Sequence, residues 1–88
     1  MVKVTLTANL QKYFPVREFE LEAKSVHELL RKMDEKRERF SHYILEDDAR
    51  IRKHVNIFIN GDLLDKANIQ QPLASGCHVH IMQALSGG

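Results

Sequence analysis

Apolar and polar residues alternate near both ends of the chain, which is the pattern of a strand with one buried face. The first such segment carries its apolar residues at Val2, Val4, Leu6 and Ala8. The last one runs from Cys77 to Met82 and follows the turn-forming pair Ser75-Gly76. A strand is therefore predicted at each end of the chain.

The residues after the first strand predict a hairpin partner for it. The Tyr-Phe-Pro sequence at 13–15 favours a turn, because proline restricts the backbone and lacks an N–H group. From Val16 onward, Phe19 and Leu21 alternate with acidic residues. We expect a second strand here, paired with the first.

The next segment predicts the main helix. Ser25 and Glu28 have the spacing of a capping box, in which the serine caps a backbone N–H and the glutamate reaches back to the cap. Apolar residues follow at the spacing of one helix face, at Val26, Leu29, Leu30 and Met33. A last turn or a second short helical piece is expected at Phe40, Tyr43, Ile44 and Leu45, before a surface loop over residues 46–50.

The second half of the chain predicts a second hairpin. Val55 to Ile59 is rich in β-branched and aromatic residues and leads into Asn60-Gly61, the preferred pair for a type I′ turn. This pattern indicates a central strand, with Leu63-Leu64 returning as a short partner. Ile69 and Leu73 are expected to pack beneath the following loop.

Together these elements predict an α+β fold in which one main helix packs on one mixed sheet of four or five strands. The order is strand, strand, helix, strand, short strand, strand, without internal repeats. A chain of 88 residues can form one small domain with a single modest core. We expect this domain to span residues 1–82 and a flexible tail to span 83–88.

Composition narrows the class of function. The 13 basic and 12 acidic residues nearly cancel, which argues against strong non-specific attraction to nucleic acid or to a membrane. Protein partners are therefore expected. Cys77 is the single cysteine, so no internal disulfide can form, and no apolar run has the length of a signal or membrane segment. These features favour a cytoplasmic protein.

The pair Gly87-Gly88 at the end of the sequence is a candidate reactive group. Glycine lacks a Cβ atom, so a Gly-Gly tail could thread a narrow channel and present its carboxylate to ATP. The alternative is an ordinary frayed terminus without a role.

Several stretches resemble the MoaD/ThiS family of sulfur carriers. The resemblance covers the whole chain and includes the element order, the Asn60-Gly61 turn, the Leu73–Gly76 turn and the Ala84–Gly88 end. Its most specific parts are Val55–Gly61 and Ser86–Gly88. It implies a ubiquitin-like β-grasp fold.

The resemblance also implies a chemistry. A ubiquitin-activating-type adenylyltransferase would use ATP to adenylate the carboxylate of Gly88, and a sulfur donor would convert the adenylate to a thiocarboxylate. A partner synthase would then accept the sulfur, so the chain would be a co-substrate rather than an enzyme and would bind no cofactor stably. Gly87 and Ser86 would thread the tail into the partner. Candidates for partner docking are Leu85, Ala84, Phe58, His78 and His80.

Two positions depart from the pattern that is frequent in this family. Cys77 stands where an acidic residue often follows the turn glycine, and Gln83 stands where a proline is common near the root of the tail. An insertion over residues 46–53 makes the chain longer than thiamin-type carriers. The Val55–Asn60 run is more similar to carriers that supply cysteine or specialised-metabolite synthesis than to the molybdopterin branch.

Three groups of side chains have two interpretations each. His78 and His80 point to the same face of a strand and either share a metal or face solvent or a partner. Cys77 is either a sulfur relay near the tail or a small, half-buried apolar residue. A basic cluster contacts an acidic surface on a partner or is simply solvated, and it consists of Arg50, Arg52, Lys53 and His54.

Two functions compete with the sulfur carrier. In a protein modifier, the same adenylated Gly88 would be captured by a lysine as an isopeptide. In a non-activated interaction module, a sheet face with His78 and His80, or the basic cluster, would bind a partner without using the tail.

Overall fold

The computed structural model describes residues 1–84. In this range, five strands form one sheet and one α-helix packs against it. The elements are β1 (Val2–Leu6), β2 (Glu18–Leu21), α1 (Val26–Lys36), β3 (Val55–Ile59), β4 (Asp62–Leu63) and β5 (His78–Gln83). No helix within residues 1–84 is both long and apolar enough to cross a bilayer.

The sheet has the strand order β2-β1-β5-β3-β4. β1 and β5 are parallel, and the other neighbouring pairs are antiparallel. The predicted mixed sheet with one main helix is therefore confirmed. β3 lies inside the sheet, between β5 and β4, but the middle strand is β5.

Helix α1 begins at the predicted cap. Ser25 Oγ accepts a hydrogen bond from the Glu28 N–H at 3.1 Å, as a capping box requires. The Glu28 carboxylate accepts from the N–H of Lys24, at 3.1 Å, rather than from that of Ser25. The predicted apolar stripe of the helix is fully buried, at Val26, Leu29, Leu30 and Met33.

The core lies between this helix and one face of the sheet. Because side chains alternate along a strand, every second residue of the three inner strands points into it. These residues are Val2, Val4, Leu6, Val55, Ile57, Val79 and Ile81. The 3-10 helix Phe40–Tyr43 follows α1 as a separate piece, and its Phe40 is buried edge-on against Phe14, with ring centroids 5.1 Å apart.

Two limits of the predicted first hairpin were wrong. Ala8 is exposed, because the chain leaves β1 after Leu6 and forms a 3-10 turn at Ala8–Leu10, which buries Leu10 instead. A period of two does not apply in a turn with three residues per repeat. Val16 is also exposed, because pairing with β1 starts only at Glu18, opposite Thr5.

The other predicted turns and loops are confirmed. Asn60 and Gly61 have φ values of 51° and 88°, and a type I′ turn requires φ to be positive at both positions. Residues 46–50 form an exposed loop. Ile69 and Leu73 are buried.

The described chain stays in the sheet slightly beyond the predicted domain limit at residue 82. β5 continues to Gln83, which pairs with Val55. The N–H of Ala84 then donates to the carbonyl oxygen of His54 at 2.8 Å. Residues 85–88 of the predicted tail lie outside the described residues.

Candidate docking face and tail root

The sheet face that points away from α1 brings distant residues into one row. Thr5 of β1 lies opposite His80 of β5, and His80 lies opposite Phe58 of β3. Residues directly opposite each other on neighbouring strands share a face. His78 lies on the same face, one pleat away, with its ring centroid 6.3 Å from that of His80.

A single hydroxyl group joins the two histidines. Thr5 Oγ1 lies 2.8 Å from His78 Nε2 and 2.7 Å from His80 Nδ1. A hydroxyl has one proton, so it donates to one ring nitrogen and accepts from the N–H of the other. The Thr5 hydroxyl therefore needs one of the two ring nitrogens to be an unprotonated acceptor, so both rings cannot be imidazolium while the bridge is intact.

Burial lowers the pKa of His80 below its usual value of 6.5, and the positive charge that His78 can carry lowers it further. A lowered pKa means that the unfolded chain binds a proton at His80 more readily than the folded chain does. The contribution of His80 to stability is therefore complete above about pH 6.5 and is lost as the pH falls through its folded pKa.

We expect His80→Gln to reduce the loss of stability between pH 7 and pH 5. Glutamine keeps hydrogen-bonding capacity at this position but does not titrate. The measurement is urea unfolding across this pH range, together with an NMR titration of His80. A His80 midpoint above 6.5, or a full wild-type difference in His80→Gln, contradicts the assignment.

The same face becomes apolar toward β4. Leu63 lies opposite Phe58 and is 62% exposed, which is high for a leucine. Met82 is half-buried beside Asn56 on the same face. We call this surface the docking face and define it by Thr5, Phe58, Leu63, His78, His80 and Met82.

The predicted docking residues do not form one group. Phe58, His78 and His80 share the docking face, whereas Ala84 is exposed just beyond the end of β5. At about 3.3 Å per residue, Ala84 is roughly 20 Å along the strand from His78. Leu85, Ser86, Gly87 and Gly88 lie outside the described residues.

Cys77 is a buried core residue, more completely buried than the sequence suggested. It lies just before the start of β5, whereas Ala84 lies just after the end of that strand. The interpretation of Cys77 as a small apolar residue is therefore confirmed, and its thiol lies at the other end of β5 from the described root of the tail.

Neither the histidines nor the basic cluster forms a compact ionic site. Among residues 1–84, no three His, Cys, Asp or Glu side chains are grouped to hold a metal ion. Arg52 donates a hydrogen bond to the His42 carbonyl oxygen at 2.9 Å and contacts the Glu46 carboxylate at 3.4 Å, so it stabilises the loop.

A surface groove of about 610 Å³ lies beside Gln83. Of the four basic residues, only Arg52 lines it. That groove is lined by Glu38, Arg39, His42, Tyr43, Arg52 and Gln83.

Comparison with known protein families agrees with this architecture. The family model described as the ThiS family matches residues 4–88 of the chain. The chain belongs to the ThiS family. A search of curated protein sequences finds no match.

Three solved structures similar to this ThiS-family chain cover between 92% and 100% of it. A chain of the BexX/CysO complex from Amycolatopsis orientalis has a TM-score of 0.87 at 14% identity, and each chain is covered to 100%. Small archaeal modifier protein 1 from Methanosarcina acetivorans has a TM-score of 0.78 at 26% identity, with 99% of this chain and 95% of that chain covered. Urm1 from Sulfolobus solfataricus has a TM-score of 0.71 at 26% identity, covering 92% and 97%. The predicted ubiquitin-like β-grasp fold is confirmed.

Several residues of this ThiS-family chain were not predicted from the sequence, although the fold places them at the docking face or at the root of the tail. Thr5 joins the two histidines, Leu63 extends the apolar part of the docking face, and Thr7 and Asn9 contact Gln83. The alternating pattern predicts that Thr5 faces away from the core. It does not show which strand lies beside β1, so it gave no indication of the contact with the β5 histidines. The exposure of Leu63 was weakly indicated, because a leucine in a short strand at the edge of a sheet is difficult to bury.

Proposed function

We propose that this chain is a sulfur carrier whose Gly88 carboxylate is the reactive group. The carboxylate would attack the α-phosphorus of ATP on an adenylyltransferase, and pyrophosphate would leave. Sulfide (HS⁻) supplied by a donor would then attack the acyl carbon and displace AMP, which leaves a thiocarboxylate. The observation that carries the proposal is the family match, which continues through Gly88.

The fold supports a carrier role because the folded domain holds the root of the tail and leaves the last residues available to a partner. β5 runs through the middle of the sheet and is hydrogen-bonded as far as Ala84, only four residues before Gly88 in the sequence. A rigid domain therefore holds the root of the reactive segment. The remaining residues can enter the active site of a partner, which would provide the acid-base groups, while the carrier contributes position.

The docking face supports a protein partner. It combines an exposed Leu63 with the half-buried rings of Phe58 and His80, and it carries neutral hydrogen-bonding groups beside them. A surface with an apolar part and a polar rim is typical of protein interfaces. We propose that the adenylyltransferase or the sulfur-accepting synthase covers this face, with the tail in its active site.

For the sulfur acceptor we propose a synthase of cysteine or specialised-metabolite type. The resemblance of the Val55–Asn60 run to such carriers is the basis of this choice. The similar chain of the BexX/CysO complex has the same fold and is part of a complex. This precedent is compatible with a synthase partner.

A protein modifier is the second candidate function. Two of the similar structures, at 26% identity, are named as Urm1 and as a small archaeal modifier protein. In this role, the Gly88 adenylate would be attacked by a lysine amine instead of a sulfur nucleophile. A module that never undergoes activation is the remaining alternative, and it would use only the docking face.

Intact mass spectrometry of the protein from its native host, grown under sulfur demand, tests the proposal. A carrier shows a mass increase equal to one oxygen replaced by sulfur, located at Gly88, and reacts with a thiocarboxylate-selective trap. Lysine-linked conjugates without this species support the modifier. A terminus still unmodified after addition of ATP, sulfide and candidate activating enzymes contradicts the carrier and supports the interaction module.

A further inference from the structure

Gln83 is held at the end of β5 by a closed ring of hydrogen bonds. Its N–H donates to Thr7 Oγ1 at 3.1 Å. The Thr7 hydroxyl donates to Asn9 Oδ1 at 2.8 Å, and Asn9 Nδ2 donates to the carbonyl oxygen of Gln83 at 2.8 Å. Each donor has one acceptor, so the three bonds are mutually compatible and can reinforce one another. We call these three residues the tail-root clamp.

The clamp exists because β1 leaves the sheet before β5 does. The last backbone bond between the two strands runs from the Thr7 N–H to the Ile81 carbonyl oxygen, at 3.2 Å. The chain then turns into the 3-10 segment Ala8–Leu10. Without β1 beside it, Gln83 would have no backbone partner on this side of the sheet. The side chains of Thr7 and Asn9 supply the missing acceptor and donor.

The opposite side of β5 is also held. The Ala84 N–H donates to the His54 carbonyl oxygen at 2.8 Å. Successive residues of a strand direct their N–H groups to opposite neighbours, so Gln83 is bound toward β1 and Ala84 toward β3. The backbone of Gln83 and Ala84 is thus held from both sides of β5.

We propose that Thr7 and Asn9 are positioning residues for activation of the tail, an inference that rests on the sulfur-carrier function proposed above. With Gln83 and Ala84 already ordered, the activating enzyme does not have to order them when it binds the chain. Preorganisation of this kind improves affinity, because less conformational entropy is lost on association. Loss of this preorganisation should therefore raise the KM of the activating enzyme for this chain. It should not change kcat, because the side chains of Thr7 and Asn9 do not act on the reacting carboxylate.

The test compares ATP-pyrophosphate exchange by candidate adenylyltransferases of the host with wild-type and variant chains as substrates. Thr7→Val keeps the branched shape of the side chain but removes the hydroxyl, and Asn9→Ala removes the amide. We expect each change to raise KM about tenfold and to leave kcat within about twofold. Thr7→Ser restores the hydroxyl and should restore KM. Asn68→Ala, an exposed asparagine in a different loop, is the matched control and should resemble wild type.

Amide hydrogen exchange gives a second measurement that is independent of the enzyme. Thr7→Val and Asn9→Ala should accelerate exchange at Gln83 and Ala84 about tenfold and leave the core amides of Val79 and Ile81 unchanged. Unchanged core amides show that the variants are folded.

If exchange at Gln83 and Ala84 becomes faster while KM stays at the wild-type value, the positioning role is wrong, although the clamp exists. Unchanged exchange at Gln83 overturns the clamp itself. If even the wild-type chain is not adenylated, the proposed function fails, and the positioning role fails with it.

Discussion

Deletion of Gly88 is expected to abolish thiocarboxylate formation and to leave the free energy of unfolding unchanged. Without this residue, the terminal carboxylate moves back along the chain by one residue, about 3.5 Å. A displacement of about 1 Å from the reacting position can already cost a factor of about 100 in rate. We therefore expect a loss greater than 100-fold, measured by intact mass after incubation with ATP, sulfide and the activating enzyme.

Gly87→Leu should have an effect of similar size for a different reason. It keeps the carboxylate at the end of the chain but adds a side chain to a segment that, in the proposed mechanism, enters a narrow channel of the partner. Ser86→Ala is the matched control, since it changes the neighbouring position without adding volume, and it should retain transfer. Urea unfolding of all three variants is expected to match wild type, and it serves as the check that each variant is folded. Retained transfer in the Gly88 deletion or in Gly87→Leu contradicts the carrier mechanism.

Phe40→Ala lowers the free energy of unfolding by about 3–5 kcal/mol, the range observed when a buried phenylalanine is truncated. Phe40 is fully buried, and its ring meets the edge of Phe14, which in turn stacks on Phe19 at 5.0 Å. Its removal therefore opens a cavity where the 3-10 helix closes the core against β2. For a domain of this size, the loss is a large part of a total stability of about 4–13 kcal/mol. Urea and thermal unfolding measure it, and the melting temperature should fall by more than about 10 °C.

Tyr43→Ala is the control for Phe40→Ala, because it makes a similar truncation in the same 3-10 helix. Tyr43 is 40% exposed and stacks on Tyr13 with a centroid distance of 3.8 Å. Loss of this partly exposed stack should cost only about 1 kcal/mol. Equal losses for the two variants would show that Phe40 does not close the core.

The carrier hypothesis and the structural predictions can be tested separately. Phe40→Ala concerns the core alone, and the Gly88 deletion concerns the reactive end alone. The variants of Thr7 and Asn9 connect the two, because they alter the root of the tail without altering its chemistry. A carrier should respond to all three classes of change, whereas a non-activated module should respond only to those that alter the fold or the docking face.

The element types and the buried faces followed from the sequence because each depends on residues that are close in the chain. The alternation around Val4 and Val79 identified two strands and the side of each that is buried. The spacing of Ser25 and Glu28 located the start of α1. Asn60-Gly61 determined a tight hairpin, because these residues tolerate the positive φ angles of its turn.

The strand limits were less accurate where backbone geometry changes within a pattern. Ala8 continues the alternation of Val2, Val4 and Leu6 in the sequence, yet the chain has already turned into a 3-10 segment at this position. That turn depends on where β1 and β5 separate, which the local residues do not specify. The same turn places Asn9 beside Gln83.

The sequence by itself determined the main helix with its apolar stripe, the existence of the strands and the glycine pair that suggests a reactive terminus. Only the tertiary structure decided which polar residues meet. Thr5 bonds His80 across 75 positions, and Thr7 bonds Gln83 across 76, since β1 and β5 lie side by side in parallel. A periodic pattern records whether a side chain faces the core, because burial is a property of one residue and its face. A hydrogen bond between distant residues depends on the packing of every element between them, and no local pattern records it.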